Sequence, residues 1–185
     1  MSLVYIWIPI VVIVVIAFWL ILTYNGLIRI RNRVKEAWSD IEVQLKRRYD
    51  LIPNLVNAIK GYTKHEEGVF TKVTEARAAA MSAKTPGEHA KTENMLSETL
   101  KSLFAVTENY PELKASQNFL QLQNELTDTE NKIQASRRFY NGIVRDFNTK
   151  VQVFPTNIIA NMLGFKQAEF FDAPDEVNET PNVKF

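Results

Sequence analysis

From Leu3 to Leu22 the chain runs twenty residues without a charge, and fifteen of them are Leu, Ile, Val or Phe. After this run the apolar pattern turns from continuous to periodic. Leu27, Ile30, Val34, Ala37, Ile41, Leu45, Ile52, Leu55, Ile59 and Tyr62 recur mostly three or four residues apart, and polar Arg48 fills one slot where an apolar residue is expected. That spacing marks one face of a long helix. Pro53 interrupts the stripe; lacking a backbone donor, it is expected to kink or restart the helix, with Asp50 available as an N-cap. Gly61 is expected to end it.

Thr63 and Glu66 have capping-box spacing and predict the start of a second helix with the stripe Val69, Val73, Ala76, Ala80. Its small Ala-rich surface would allow close helix approach. Thr85-Pro86-Gly87-Glu88 is a further start signal, with proline at the first helical position. The third helix carries Leu96, Leu100, Leu103 and Thr107 and is broken at Asn109-Tyr110-Pro111. The fourth has the clearest rhythm: Phe119, Leu122, Leu126, Thr129, Ile133, Ser136, Tyr140, Ile143, Phe147 and Val151, stopped by Phe154-Pro155. Acid–base pairs such as Asp128 and Lys132 lie at helical spacing on its polar side. A short apolar helix from Ile158 to Leu163 is expected to end at Gly164. No segment alternates with period two long enough to build a sheet. The pattern predicts an all-α chain: a transmembrane helix in residues 1–24, an antiparallel four-helix bundle with long helices in 25–171, and a flexible acidic tail in 172–185.

The opening run is long enough to cross a bilayer core as one helix. At roughly −0.3 to −0.6 kcal/mol each, its fifteen strongly apolar residues favour insertion by about 5–9 kcal/mol, before any penalty for Pro9. A cleavable signal would need a basic start, a shorter apolar core and a small-residue cleavage site. Only Met1 and Ser2 precede the run, and Thr23-Tyr24-Asn25-Gly26-Leu27 follows it. An uncleaved anchor is therefore expected. Tyr5 and Trp7 mark one membrane interface, Trp19 and Tyr24 the other. Arg29, Arg31, Arg33 and Lys35 precede the first acid, Glu36. By the positive-inside rule, the N-terminus is expected outside and the bundle in the cytoplasm.

The net charge of +1 gives no global field that would attract nucleic acid. Its distribution is uneven. Residues 27–64 hold nine Lys/Arg against four Asp/Glu, whereas residues 165–185 hold two against five. A basic membrane-proximal stretch favours anionic head groups; a solvated face with a topology signal explains it equally well. The absence of cysteine excludes disulfides, zinc–thiolate sites and cysteine nucleophiles.

Candidate chemistry is sparse. His65-Glu66-Glu67 begins like a zinc-protease motif, but Val69 stands where the second histidine belongs. His65 and the other histidine, His89, are expected in exposed loops. Glu125 and Glu130 lack the Glu-x-x-His partners of a di-metal bundle site. No serine has the basic partner and strained turn of a nucleophile. Two clusters join cations to an aromatic, Arg47-Arg48-Tyr49-Asp50 and Arg137-Arg138-Phe139-Tyr140-Asn141. Each is suited to an anionic partner or lipid, or to pairing with Asp50, Glu125, Asp128 or Glu130 inside the bundle; the structural pairing is favoured. The candidate partner or lipid contacts are thus Arg29, Arg31, Arg33, Lys35, Arg47, Arg48, Arg137 and Arg138. No catalytic, cofactor or metal residues are assigned.

Tyr24-Asn25, Glu36-Ala37-Trp38-Ser39-Asp40-Ile41, the string from Gln44 through Arg47-Arg48-Tyr49-Asp50-Leu51-Ile52-Pro53 to Val56, and Glu75-Ala76-Arg77 resemble the LemA family. So do Asn118-Phe119-Leu120-Gln121-Leu122-Gln123, Glu130-Asn131-Lys132-Ile133, Arg137-Arg138-Phe139-Tyr140-Asn141 and Phe154-Pro155-Thr156-Asn157. The resemblance covers the whole chain. It implies a bacterial inner-membrane protein with one N-terminal span and a helical-bundle domain, and it supplies no established enzymatic activity and no catalytic residues to carry over.

The leading expectation is a non-enzymatic, self-associating scaffold that organises membrane or partner proteins. If the anchor helix continues past Asn25-Gly26, about sixty residues at 1.5 Å each would make a rod of roughly 90 Å able to pack side by side. The alternatives are a membrane-tethered adaptor in envelope-stress or sensory signalling and an undetected enzyme, for example a hydrolase. The partners expected are the bilayer, further copies of the chain and an unidentified protein; nucleic acid is not expected.

Overall fold

The computed structural model describes residues 2–63 and 66–171, with the backbone alone at residues 2–6. Among the described residues all regular structure is helical. The helices are α1 (Ser2–Lys60), α2 (Glu67–Ser82), α3 (Pro86–Thr107), α4 (Pro111–Lys114), α5 (Gln117–Gln152) and α6 (Thr156–Met162). His65 and the acidic tail expected over 172–185 lie outside the described residues, as does the side chain of Tyr5.

The chain divides into two compact units. One comprises Met1–Trp38 and Gly142–Ala168, the other Ser39–Asn141 and Glu169–Phe185. In the first unit, Leu27, Ile30 and Ala37 of α1 are buried, as are Ile143, Val144, Phe147 and Val151 of α5 and Ile159 and Ala160 of α6. After α6, Gly164 adopts φ +71°, which a side-chain-free residue takes without strain. The Phe165 amide then donates to Ala160 O at 2.9 Å and closes the helix end. Buried Asn148 exchanges two hydrogen bonds with the Ala168 backbone, donating to its carbonyl at 2.9 Å and accepting from its amide at 2.8 Å.

In the second unit the α1 stripe Ile41, Leu45, Ile52, Leu55 and Ile59 is buried at its three- and four-residue spacing. Helix α2 packs on α3. Phe104 and Phe119 meet edge to face at 6.4 Å. Tyr140 donates to Glu169 O at 2.8 Å, and the Phe171 amide donates to Asn141 Oδ1 at 2.9 Å.

Several local expectations hold. Helix α1 stops at Lys60 before Gly61, α5 ends before Phe154-Pro155, and α3 begins with proline at its first turn. The α3 start is a complete capping box: Thr85 Oγ1 accepts from the Glu88 amide, and the Glu88 carboxylate accepts from the Thr85 amide.

Others need correction. Pro53 neither restarts α1 nor leaves Asp50 as a cap, because α1 is continuous from Ser2 to Lys60. The Tyr49 carbonyl, whose helical donor Pro53 cannot supply, accepts instead from Arg77 Nε at 2.8 Å. Thr63 and Glu66 form no capping box. The helix begins only at Glu67, and the Thr63 hydroxyl reaches back to Ile59 O at 3.2 Å, finishing α1 rather than opening α2. The buried stripe of α2 uses Phe70, not Val69, ahead of Val73, Ala76 and Ala80. His89 lies in α3, not in a loop. The short helix α4 was not anticipated; Pro111 at its start and buried Leu113 define it.

Candidate functional site

Two regions stand out chemically, and each lies within one unit. The first is the N-terminal part of α1. Every residue from Trp7 to Leu22 is exposed, including Trp7 at 61%, so most of this apolar surface lies outside the unit's own core. A contiguous apolar surface of this size is characteristic of a membrane or protein contact. Trp19 and Tyr24 are exposed at its far end. Beyond it, Arg29, Arg31, Arg33 and Lys35 all face solvent. Arg29 and Arg33 are one turn apart, as are Arg31 and Lys35, so the cations spread over two faces. Arg29 Nε donates to Asn25 O at 3.3 Å, and the Arg31 guanidinium stacks 5.1 Å from the centroid of the Phe165 ring.

The second region is a polar cluster inside the other unit. Arg48, one of the expected anion contacts, is 1% exposed. It sits in the apolar stripe of α1, where its charge needs partners. Its Nη1 lies 3.0 Å from Glu93 Oε2 on α3 and 3.1 Å from Glu130 Oε2 on α5. Its Nη2 donates to Ser97 Oγ at 2.8 Å. The adjacent Tyr49 hydroxyl donates to the other oxygen of Glu93. Burial, and then this hydrogen bond, push the Tyr49 hydroxyl well above the ordinary tyrosine range, so it is held as a donor. One guanidinium thereby joins three helices.

Beside Arg48 opens a cleft of about 410 Å³, with Asn94, Ser97, Asn131 and Gln134 among its polar walls and Lys101 and Arg137 as cations. Half-buried Arg137 stacks its guanidinium 4.4 Å from the centre of the Phe171 ring. Arg48 and Arg137 thus come to one place. Arg47 does not; it is exposed and pairs loosely with Asp128 at 3.6 Å. Arg138 is exposed. The cleft offers guanidinium, ammonium and carboxamide donors for a polar or anionic group, beside a Glu130 carboxylate that is already paired with Arg48.

Glu93 is the residue that sequence reasoning missed. A signal for it existed. It occupies an apolar slot between Ala90 and Leu96 in the α3 stripe, as Arg48 does in α1. Two opposite charges in core slots of two different helices are a matched pair, because neither is tolerated alone in a core.

The family model described as "LemA family" matches residues 37–185. A curated relative, Protein LemA of Metamycoplasma hominis, is 30% identical over 155 residues, covering 82% of this chain and 69% of that protein. Magnetosome protein MamQ 2 of Paramagnetospirillum magneticum is 24% identical, and Magnetosome protein MamQ of Magnetospirillum gryphiswaldense 22%, each over 178 residues. The chain spans 65% of the length of each of these two magnetosome relatives.

Proposed function

This chain belongs to the LemA family, and from that premise we propose that it is a membrane-anchored helical scaffold that self-associates and organises membrane or partner proteins. The single observation that carries this reading is the exposure of every residue from Trp7 to Leu22. Most of this apolar helix surface lies outside its own unit's core, and a bilayer core satisfies it. The basic stretch from Arg29 to Lys35 follows in the same helix and is suited to anionic head groups where the helix leaves the membrane. In this reading the membrane is a bacterial inner membrane, with the N-terminus outside. The helices beyond the span form an antiparallel four-helix bundle in the cytoplasm. Long helices with exposed polar and apolar faces, including Val43 on α1 and Phe139 on α5, support the proposed self-association. The reading assigns no enzymatic step and no cofactor. Similarity to two magnetosome proteins supports a membrane-associated role.

The cleft beside Arg48 favours a second reading, a membrane-tethered adaptor that receives an anionic segment of a soluble partner. Two measurements separate these readings. Resistance to alkaline extraction of membranes tests the anchor. The size of the intact protein in mild detergent tests self-association, and a strict monomer at every concentration leaves the adaptor as the better account.

A further inference from the structure

Between Lys150 and Lys166 the chain carries no charge for fifteen residues, from Val151 to Phe165. This is a second uncharged, largely apolar run, separate from the span, and it contains α6. In a chain whose residues 23–185 otherwise alternate charged and apolar faces, such a run is expected in a core. It is only partly buried. Ile159, Ala160 and Phe165 face inward, but Met162 is 80% exposed and Phe154 75%, and Val153, Ile158 and Leu163 are also exposed.

Two of these exposed side chains line one groove. Met162 and Leu163, with Ile159, form one wall of a groove of about 390 Å³ whose other wall is Leu20, Ile21 and Tyr24 of α1. Apart from the Tyr24 hydroxyl, the lining is apolar. The α1 wall belongs to the last turns of the apolar run, so the groove is continuous with the surface that the bilayer is proposed to cover. Leu20 lies two residues from the end of that run, about 3 Å along the helix. A helix lying beside Leu20–Tyr24 is therefore at the level where interfacial helices rest, about 5–10 Å into the head-group and acyl boundary. The charges around it agree. Lys150 and Lys166 bracket the run, and Arg31 stacks on Phe165 at its end, placing a cation from α1 beside it.

We propose that α6 and the turn before it are a second membrane contact: Phe154, Ile158, Met162 and Leu163 enter the leaflet through which α1 leaves the bilayer, and lipid acyl chains fill the groove between α6 and α1. The inference rests on the proposed bilayer crossing by α1. Its consequence is a hold on the membrane at two points, which limits rotation of this unit about the span. A single helix alone leaves that rotation free.

The protein has no cysteine, so single labelling sites can be introduced without background. Full-length M162C, I158C and F18C, each carrying an environment-sensitive fluorophore, are reconstituted into vesicles of phosphatidylethanolamine and phosphatidylglycerol. Quenching is compared between lipids spin-labelled near the head group and a water-soluble quencher. The expected result is strong lipid quenching at 162 and 158 with weak aqueous quenching, alongside lipid quenching at 18. Lipid quenching at 18 but aqueous quenching at 158 and 162 overturns the second contact and leaves the span intact. Absence of lipid quenching at 18 overturns both. Shielding of 162 from both quenchers assigns the face to another copy of the chain and also overturns the lipid assignment.

Discussion

Arg77 Nε donates a 2.8 Å hydrogen bond to the backbone carbonyl of Tyr49, the carbonyl for which Pro53 cannot provide a helical donor. A helix interior normally excludes proline because one carbonyl loses its partner. Here a side chain from α2 replaces that partner, and α1 continues to Lys60. Replacing Arg77 with Leu leaves the carbonyl unsatisfied at a cost of about 1–3 kcal/mol. In a Pro53→Ala background the helix regains its own N–H, and the same Arg77→Leu change becomes cheaper. Denaturant melts of the four proteins, followed by helical circular dichroism in mild detergent, measure the difference. An identical Arg77→Leu cost in both backgrounds would refute the relationship.

The Arg48–Glu93 pair is expected to behave as a buried ion pair does. Glu93→Gln takes one of two carboxylates from a guanidinium that is 1% exposed and leaves Glu130 as its charged partner. The expected loss is about 1–3 kcal/mol. Replacing both partners with apolar residues, Arg48→Met with Glu93→Leu, removes both buried charges and is expected to cost less than Arg48→Met alone, which strands the Glu93 carboxylate. The exposed Arg47–Asp128 pair is the control, and Asp128→Asn is expected to leave the melt almost unmoved. Equal effects of Glu93→Gln and Asp128→Asn would show that Arg48 is not organised by Glu93.

Alkaline pH tests the tyrosines. Burial, and then the charge of Glu169, push the Tyr140 hydroxyl up to about 12 from an ordinary 10.0. The folded state therefore keeps the proton more tightly than the unfolded chain. That contribution is complete below pH 10 and is lost as pH rises through the raised value near 12. Stability should fall over this window, and Tyr140→Phe should flatten the fall while also removing the hydrogen bond to Glu169 O. Melts at a series of pH values compare the two proteins. A wild-type and Phe variant with parallel curves from pH 9 to 12 would contradict the assignment. Tyr49 adds to the loss in the same direction, since burial and Glu93 raise it as well.

The helices were largely legible because three- and four-residue spacing survives in the sequence wherever one helix face is buried. The α3 start was legible because Thr85, Pro86 and Glu88 supply the whole cap locally. The misreadings share a cause, which is that the decisive partner lies elsewhere. Pro53 is accommodated by a residue 24 positions later in the chain. Thr63 has a capping residue's chemistry, yet its hydroxyl is taken by Ile59 O of the preceding helix. Arg48 stands out as a polar residue in an apolar slot, and Glu93 does the same on α3, but no local rule links positions 48 and 93. The exposed surface of α6 was hidden for a related reason: a short apolar helix ending at glycine reads as core until its neighbours are known.

In the proposed function, copies of this protein assemble in a membrane. Its most direct measurement is the mass of the intact protein extracted with its surrounding lipids into polymer-bounded discs, determined particle by particle over a range of expression levels. The account predicts particles holding several 21.3 kDa chains each, with the copy number preserved on dilution. Discs holding one chain at every level would contradict it.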